Sequence, residues 1–129
     1  MIVDTSAIVA VLLQEPDHAE LLDRFAATPS VAVGAPTLAE TGVVLAARLG
    51  PGGKTLLTRF VQEADLAVLP FTADHWPLAV EAYLRFGKGR HPAALNLGDC
   101  MTYAICRAAD RPLLCVGDDF ARTDLPLIR

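Results

Sequence analysis

Four acidic positions stand far apart in the chain but in comparable local settings: Asp4, Glu40, Asp99 and Asp118, the last followed at once by Asp119. Asp4 closes an apolar run, MIVD, and Asp118 follows another, LLCVG. Glu40 ends PTLAE and Asp99 ends LNLGD, both at the beginning of helix-like stretches. Acids gathered in one place repel one another and raise one another's pKa unless a cation offsets the charge. A hard divalent ion such as magnesium takes carboxylate oxygens and keeps several waters. Such an ion stabilises charge on phosphoryl oxygens and makes a nucleophile from water, which is what phosphodiester hydrolysis needs. Thr5 and Ser6, directly after Asp4, add hydroxyls able to hold a water or a phosphate oxygen.

Each of these residues also has a purely local reading. Thr37-x-x-Glu40 has capping-box spacing. Asp99 suits an N-cap, and so do Thr5 and Ser6. Asp118 and Asp119 suit a turn after Gly117. Asp4 is the hardest to read locally, because a charge inside an apolar run needs a partner.

The elements that must position these acids follow from periodicity and punctuation. Met1–Asp4 reads as a short buried strand and Ser6–Leu13 as a helix ended by Gln14-Glu15-Pro16. Asp17 with Glu20 has capping-box spacing and opens a helix bearing Leu21, Leu22, Phe25 and Ala26 on one face. Ser30–Gly34 reads as a strand and Pro36–Leu49 as a helix stopped by Gly50-Pro51-Gly52-Gly53. Lys54–Ala64 is a helix and Leu66–Phe71 a strand. Trp76, Ala79, Val80, Tyr83 and Leu84 form a helical stripe, read as core or dimer interface. Asp99–Ala109 is a helix, Leu113–Val116 a buried strand, and Pro126–Ile128 a last short strand. Alternating strands and helices predict an α/β fold, a three-layer α/β/α sandwich around a mainly parallel sheet. Ligands in such folds sit outside the carboxyl ends of the strands, where Asp4 and Asp118 fall.

The 129 residues suit a single domain spanning 1–129. Apolar residues make up 53% and aromatics only 6%, so the core is expected to be aliphatic. The formal charge of −4 argues against a general nucleic-acid coat protein, which would be basic. It leaves room for an enzyme with an acidic metal site, since four carboxylates given to a cation would account for all of it. Three cysteines (Cys100, Cys106 and Cys115) without a CxxC pair point to buried free thiols rather than a disulfide framework or zinc site. The apolar run from Ala7 to Leu13 is too short to span a bilayer and lacks a basic leader, so a cytoplasmic protein is expected.

Four segments, in order, resemble PIN-domain ribonucleases of the VapC type: MIVDTSAIVAVL, PTLAE, RFGKGRHPAALNLGDCMTYAICRA and LLCVGDDFARTD. The resemblance covers nearly the whole chain. It implies the parallel α/β/α sandwich and a magnesium- or manganese-dependent endoribonuclease. It makes Asp4, Glu40 and Asp99 the acidic metal-site core. Asp118 would be the fourth acid, with Thr5, Ser6 and the neighbouring Asp119 in support. It also implies a cognate VapB-type antitoxin that blocks the site, a homodimer, and higher assemblies with the antitoxin.

Arg85, Lys88 and Arg90 lie in the Gly-rich stretch before Asp99 and suit RNA phosphates, although positive charge after a helix C-terminus is favourable in any case. His91 reads as a surface residue or an RNA contact. Two other readings compete with this one. A haloacid-dehalogenase-type phosphatase or phosphotransferase needs a second Asp two residues after the first, where this chain has Ser6. A non-catalytic binding module would leave the four acids without a purpose.

Overall fold

The computed structural model describes residues 1–128. Its elements, in order, are β1 (Ile2–Val3), α1 (Thr5–Leu12), α2 (His18–Ala27), β2 (Ala32–Gly34), α3 (Ala35–Leu49), α4 (Pro51–Glu63), β3 (Ala67–Leu69), α5 (Trp76–Phe86), α6 (Leu97–Ala109), β4 (Leu113–Leu114) and a 3-10 turn at Phe120–Arg122. The strands form one parallel sheet in the order β3-β2-β1-β4. Leu127 bridges to Leu113 on the outer side of β4, where the sequence suggests a last short strand.

The pleat sorts strand residues to opposite faces. Ile2, Ala32 and Leu113 pack into one buried cluster with Ala82 and Phe86 of α5 and Tyr103, Ala104 and Ile105 of α6. Met1, Val3, Val33 and Leu114 face the other way, into a cluster with Ala7 and Ile8 of α1, Leu21 of α2, Leu45 of α3 and Leu57 of α4. The expected three-layer sandwich is therefore present. Each fully buried aliphatic side chain contributes about 1.5–3 kcal/mol by leaving water. The cysteines are free, with Cys100 and Cys106 buried and Cys115 half-buried. No helix among the described residues is long and apolar enough to cross a membrane.

Several local expectations change. Gly50-Pro51-Gly52-Gly53 does not separate two helices by a long stop. Gly50, at φ 67°, caps α3, and α4 begins at once with Pro51 in its first turn, where a missing N–H costs nothing. Asp17 precedes α2 without a side-chain capping bond, so the Asp17–Glu20 box does not form, and Leu22 is exposed. β3 is an edge strand whose Ala67 and Val68 are exposed rather than buried. The α5 stripe has helical period but looks outward: Ala79, Ala82 and Phe86 are buried, while Trp76, Val80, Tyr83 and Leu84 are exposed. Its core reading fails because the smaller Ala side chains let α5 lie close to α6.

The α3–α4 crossing depends on one missing side chain. A Cβ at Gly53 would stand 2.5 Å from Leu45 O and 2.6 Å from its carbonyl carbon, whereas one at Gly52 would meet nothing within 4 Å. Denaturant unfolding should therefore show Gly53→Ala destabilised by about 1–3 kcal/mol from overpacking. Gly52→Ala should be neutral or stabilised by up to about 1 kcal/mol, because alanine costs less helix entropy. Equal behaviour of the two variants would contradict this packing.

Candidate active site at the carboxyl ends of β1 and β4

β1 lies between β2, the next strand in the chain, and β4, the last one, so the strand order reverses beside it. The crevice beside β1 is thus a switch point of the kind where α/β folds bind ligands. Asp4 N donates to Leu114 O at 3.0 Å, which ties the end of β1 to the end of β4. The Asp4 side chain is only 7% exposed. A buried carboxylate is costly unless its oxygens accept hydrogen bonds, and these do. Ser6 N and Ser6 Oγ donate to Oδ2 at 3.2 and 2.7 Å, and Thr102 Oγ1 lies 3.5 Å from Oδ1. Asp4 is thereby the N-cap of α1, the role that Thr5 and Ser6 also suited. Ser6 Oγ instead accepts from Val116 N at 2.9 Å and joins the loop after β4 to Asp4.

Glu40 lies in α3, which starts directly after β2, and its side chain is exposed. The Thr37–Glu40 capping box is absent. The N-cap is Gly34, and Thr37 is buried inside the helix. Glu40 Oε1 accepts from Thr5 Oγ1 at 3.0 Å. Its other oxygen rests over Gly98, where a Cβ would come within 2.9 Å of Oε2. Gly98 therefore makes the room through which the Glu40 carboxylate reaches the start of α6.

Asp99 is the third residue of α6, and Asn96 is the N-cap. Asp99 N donates to Asn96 Oδ1 at 2.9 Å and Asn96 N donates to Asp99 Oδ2 at 3.1 Å, a complete capping box. The local and functional readings of Asp99 therefore coexist, because one carboxylate oxygen closes the box. Partial burial raises the Asp99 pKa to about 6. The Asn96 backbone bond opposes that rise, and the charges of Asp4, Asp119 and Glu40 add to it.

Those charges locate the constellation. Asp4 and Glu40, each more than thirty residues from Asp99, add their charges to it across the strand ends. Asp119, of the late acidic pair, adds its charge to that on Asp99, and Asp118 is its chain neighbour. Both are exposed, beyond the turn at Gly117 with φ 96°. Among the described residues, the ion pairs use Glu63 and Asp124, not these acids.

The donor set is all oxygen and carries excess negative charge, which suits a hard divalent cation. No group of three His, Cys, Asp or Glu side chains among the described residues is gathered into a cage for an ion. Magnesium binds through one or two carboxylates and retains water, so an open set still fits it.

The basic residues stand differently. Arg85 and Arg107 both pair with Asp124, whose other oxygen accepts from Tyr103 OH at 2.8 Å. Arg90 Nε donates to Leu84 O and its guanidinium lies over the Tyr83 ring. Arg122 donates to Pro92 O. His91 Nδ1 accepts from Ala93 N and the ring packs edge-on to Phe86. Lys88 is exposed. The Gly-rich stretch is held by its own bonds, with Lys88 N donating to Leu95 O and Leu95 N to Phe86 O.

The family model for the PIN domain matches residues 1–125. The chain belongs to the PIN-domain family. Within it, the chain is 51% identical over 126 residues to ribonuclease VapC36 of Mycobacterium tuberculosis, covering 97% of this chain and 91% of that one. The PIN fold also superimposes on Mycobacterium tuberculosis VapC20, a sarcin–ricin loop cleaving toxin, with a TM-score of 0.82 at 22% identity, covering 99% and 98% of the two chains. A toxin–antitoxin complex from Klebsiella pneumoniae matches with a TM-score of 0.71 at 18% identity, covering 95% and 92%.

Sequence reading alone misses Gly98, Asn96 and the buried Thr41 and Thr102, and it offers Thr37 only as a cap rather than as a buried hydroxyl. Only the LNLGD run hints at the first two. The raised Asp99 pKa fixes a pH dependence. The ordinary value is 3.8 and the folded value about 6. Ionising Asp99 in the folded PIN domain therefore costs stability, and the loss accrues as pH rises through that window. With a chelator present, Asp99→Asn should melt roughly 3–6 °C above wild type at pH 8. The gap should shrink toward zero by pH 4. A gap that stays constant with pH would show that Asp99 is not under this charge stress.

Proposed function

We propose that this PIN domain is a metal-dependent endoribonuclease acting as the toxin of a VapBC-type toxin–antitoxin pair. The observation that carries the reading is the convergence of Asp4, Glu40 and Asp119 on Asp99 at the carboxyl ends of the strands, where their charges add to the rise of the Asp99 pKa and the donors are all oxygen. Asp4 and Asp99 would hold the cation, magnesium or manganese, and Glu40 and Asp119 would complete its acidic surroundings. Asp118 stands beside Asp119 in support. A divalent ion there supplies Lewis-acid stabilisation of the phosphoryl oxygens and a water of lowered pKa.

The chain's own groups do the rest. Ser6 fixes one oxygen of Asp4, and Thr5 fixes one oxygen of Glu40 while Gly98 leaves space for the other. The Asn96 box holds Asp99 against α6. Lys88 is the basic side chain of the Gly-rich stretch offered to RNA phosphates, because Arg85 and Arg90 have partners within the fold. The identity to VapC ribonucleases supports RNA as the substrate and a VapB-type antitoxin as the partner, in the cytoplasm. The exposed Trp76, Val80, Tyr83 and Leu84 on α5 suit a homodimer contact. A haloacid-dehalogenase-type mechanism has no support, since Ser6 fills the place of its second acid and its hydroxyl is engaged between Asp4 and Val116.

Cleavage of total RNA by the purified protein tests this. Wild type should cut with magnesium or manganese and stop with EDTA. Asp4→Asn and Asp99→Asn should lose on the order of a hundredfold or more while staying folded, in line with removal of a preorganised charge from a site. Asp119→Asn should lose more than Asp118→Asn. Wild type that never cuts under any metal condition, or acid variants that cut as well as wild type, would put a non-catalytic binding module in its place.

A further inference from the structure

Three threonines lie behind the acids with almost no exposure: Thr37 at 3%, Thr41 at 0% and Thr102 at 1%. Valine has nearly the same shape and would bury without any polar cost, so hydroxyls at such depth require a use. Thr41 shows the ordinary one. Its Oγ1 donates to Thr37 O, one turn back in α3, at 2.8 Å, a local bond common for helical threonines, and lies 3.0 Å from Thr5 Oγ1 on the side of Glu40. Thr37 and Thr102 do otherwise. Their hydroxyls meet across the α3–α6 interface at 2.8 Å, sixty-five residues apart in sequence, and Thr102 Oγ1 is also 3.5 Å from Asp4 Oδ1.

The proton count gives this chain of groups a direction. Each hydroxyl has one hydrogen. An ionised carboxylate only accepts, so the Thr102 proton points to Asp4. Either hydroxyl of the Thr37–Thr102 pair can donate, and with the Thr102 proton on Asp4 the donor is Thr37. The order is Thr37 Oγ1 to Thr102 Oγ1 to Asp4 Oδ1, with Ser6 Oγ on the opposite oxygen. The last contact is long for an O–H···O bond. It is nevertheless a polar contact made to Oδ1 from within the core, while both bonds from Ser6 go to Oδ2.

We propose that Thr102, oriented by Thr37, is a positioning residue that sets the rotation of the Asp4 carboxylate and so its affinity for a divalent cation. The inference rests on the reading of Asp4 as a cation ligand given above. Groups that orient a metal ligand from behind commonly change metal affinity about 10–100-fold when removed. Thr102 touches no reacting atom, so its effect should appear first in cation binding.

The test separates the hydroxyl from the packing. Thr102→Val keeps the volume and removes the hydroxyl. Thr102→Ser keeps the hydroxyl and removes a methyl group. Manganese binding without RNA is read from loss of the free-Mn2+ electron paramagnetic resonance signal, and the melting temperature is recorded for each protein. Thr102→Val should weaken manganese binding about tenfold or more, and Thr102→Ser should stay within about twofold of wild type even where its melting temperature falls. Thr37→Val leaves Asp4 and Thr102 in place and should weaken binding in the same direction but less. It also keeps the question answerable if Thr102→Val does not fold.

Manganese affinity that follows melting temperature rather than the hydroxyl would overturn the proposal. So would wild-type affinity in both valine variants. Wild type that takes up no manganese, like Asp4→Asn, overturns the cation reading itself and this inference with it. Wild type that binds manganese normally while the valine variants are unaffected overturns the positioning role alone.

Discussion

Asp4 ends the strand at the centre of the sheet, and its carboxylate is almost fully buried there. That placement is costly, and much of the surrounding structure is arranged to meet the cost. The backbone of Asp4 is pinned to β4, its Oδ2 is held by two donors from Ser6, and the Ser6 hydroxyl is itself held by Val116. Hydrogen bonds of this kind offset the desolvation of a charged group. They leave the net charge in place. The remaining charge is compounded by Glu40, Asp99 and Asp119, so the constellation gains from a cation more than from any rearrangement of its own side chains.

The layers of the sandwich serve this arrangement from both faces. α1 and α3 come from the face that buries Val3 and Val33, and they contribute Asp4 as a cap and Glu40 in an early turn. α6 comes from the face that buries Ile2 and Ala32, and it contributes Asp99 and Thr102. The parallel strands point their carboxyl ends the same way, so helices that start after those ends bring their first turns to one place. Asp99 illustrates how a local signal and a functional one share a residue. One oxygen closes the box with Asn96, and the carboxylate as a whole still takes the charges of Asp4, Glu40 and Asp119.

Much of this was legible from residues alone. The element order, the parallel three-layer class and the places of Asp4, Glu40 and Asp99 follow from apolar periodicity and from Gly and Pro punctuation. Detail was lost where one pattern serves two geometries. Gly50-Pro51-Gly52-Gly53 carries stop signals, yet Pro51 is also a good first helical residue and Gly53 is a contact point with Leu45. The α5 stripe has the right period, but periodicity does not say which face wins when Ala79 and Ala82 allow a closer approach than Trp76 and Tyr83. Arg85 read as an RNA contact because its partner Asp124 is thirty-nine residues away. The threonine pair is hidden for the same reason, since Thr102 carries no local signature, Thr37 carries only that of a cap, and the two meet only when α3 and α6 pack together.

The most direct test of the central claim is anomalous scattering from crystals grown with manganese. The account predicts an anomalous difference peak among the carboxylates of Asp4, Asp99, Glu40 and Asp119, at the ends of β1 and β4. That peak should be absent from crystals of Asp4→Asn. Full manganese exposure with no peak in that crevice, or with a peak only elsewhere on the molecule, would contradict it.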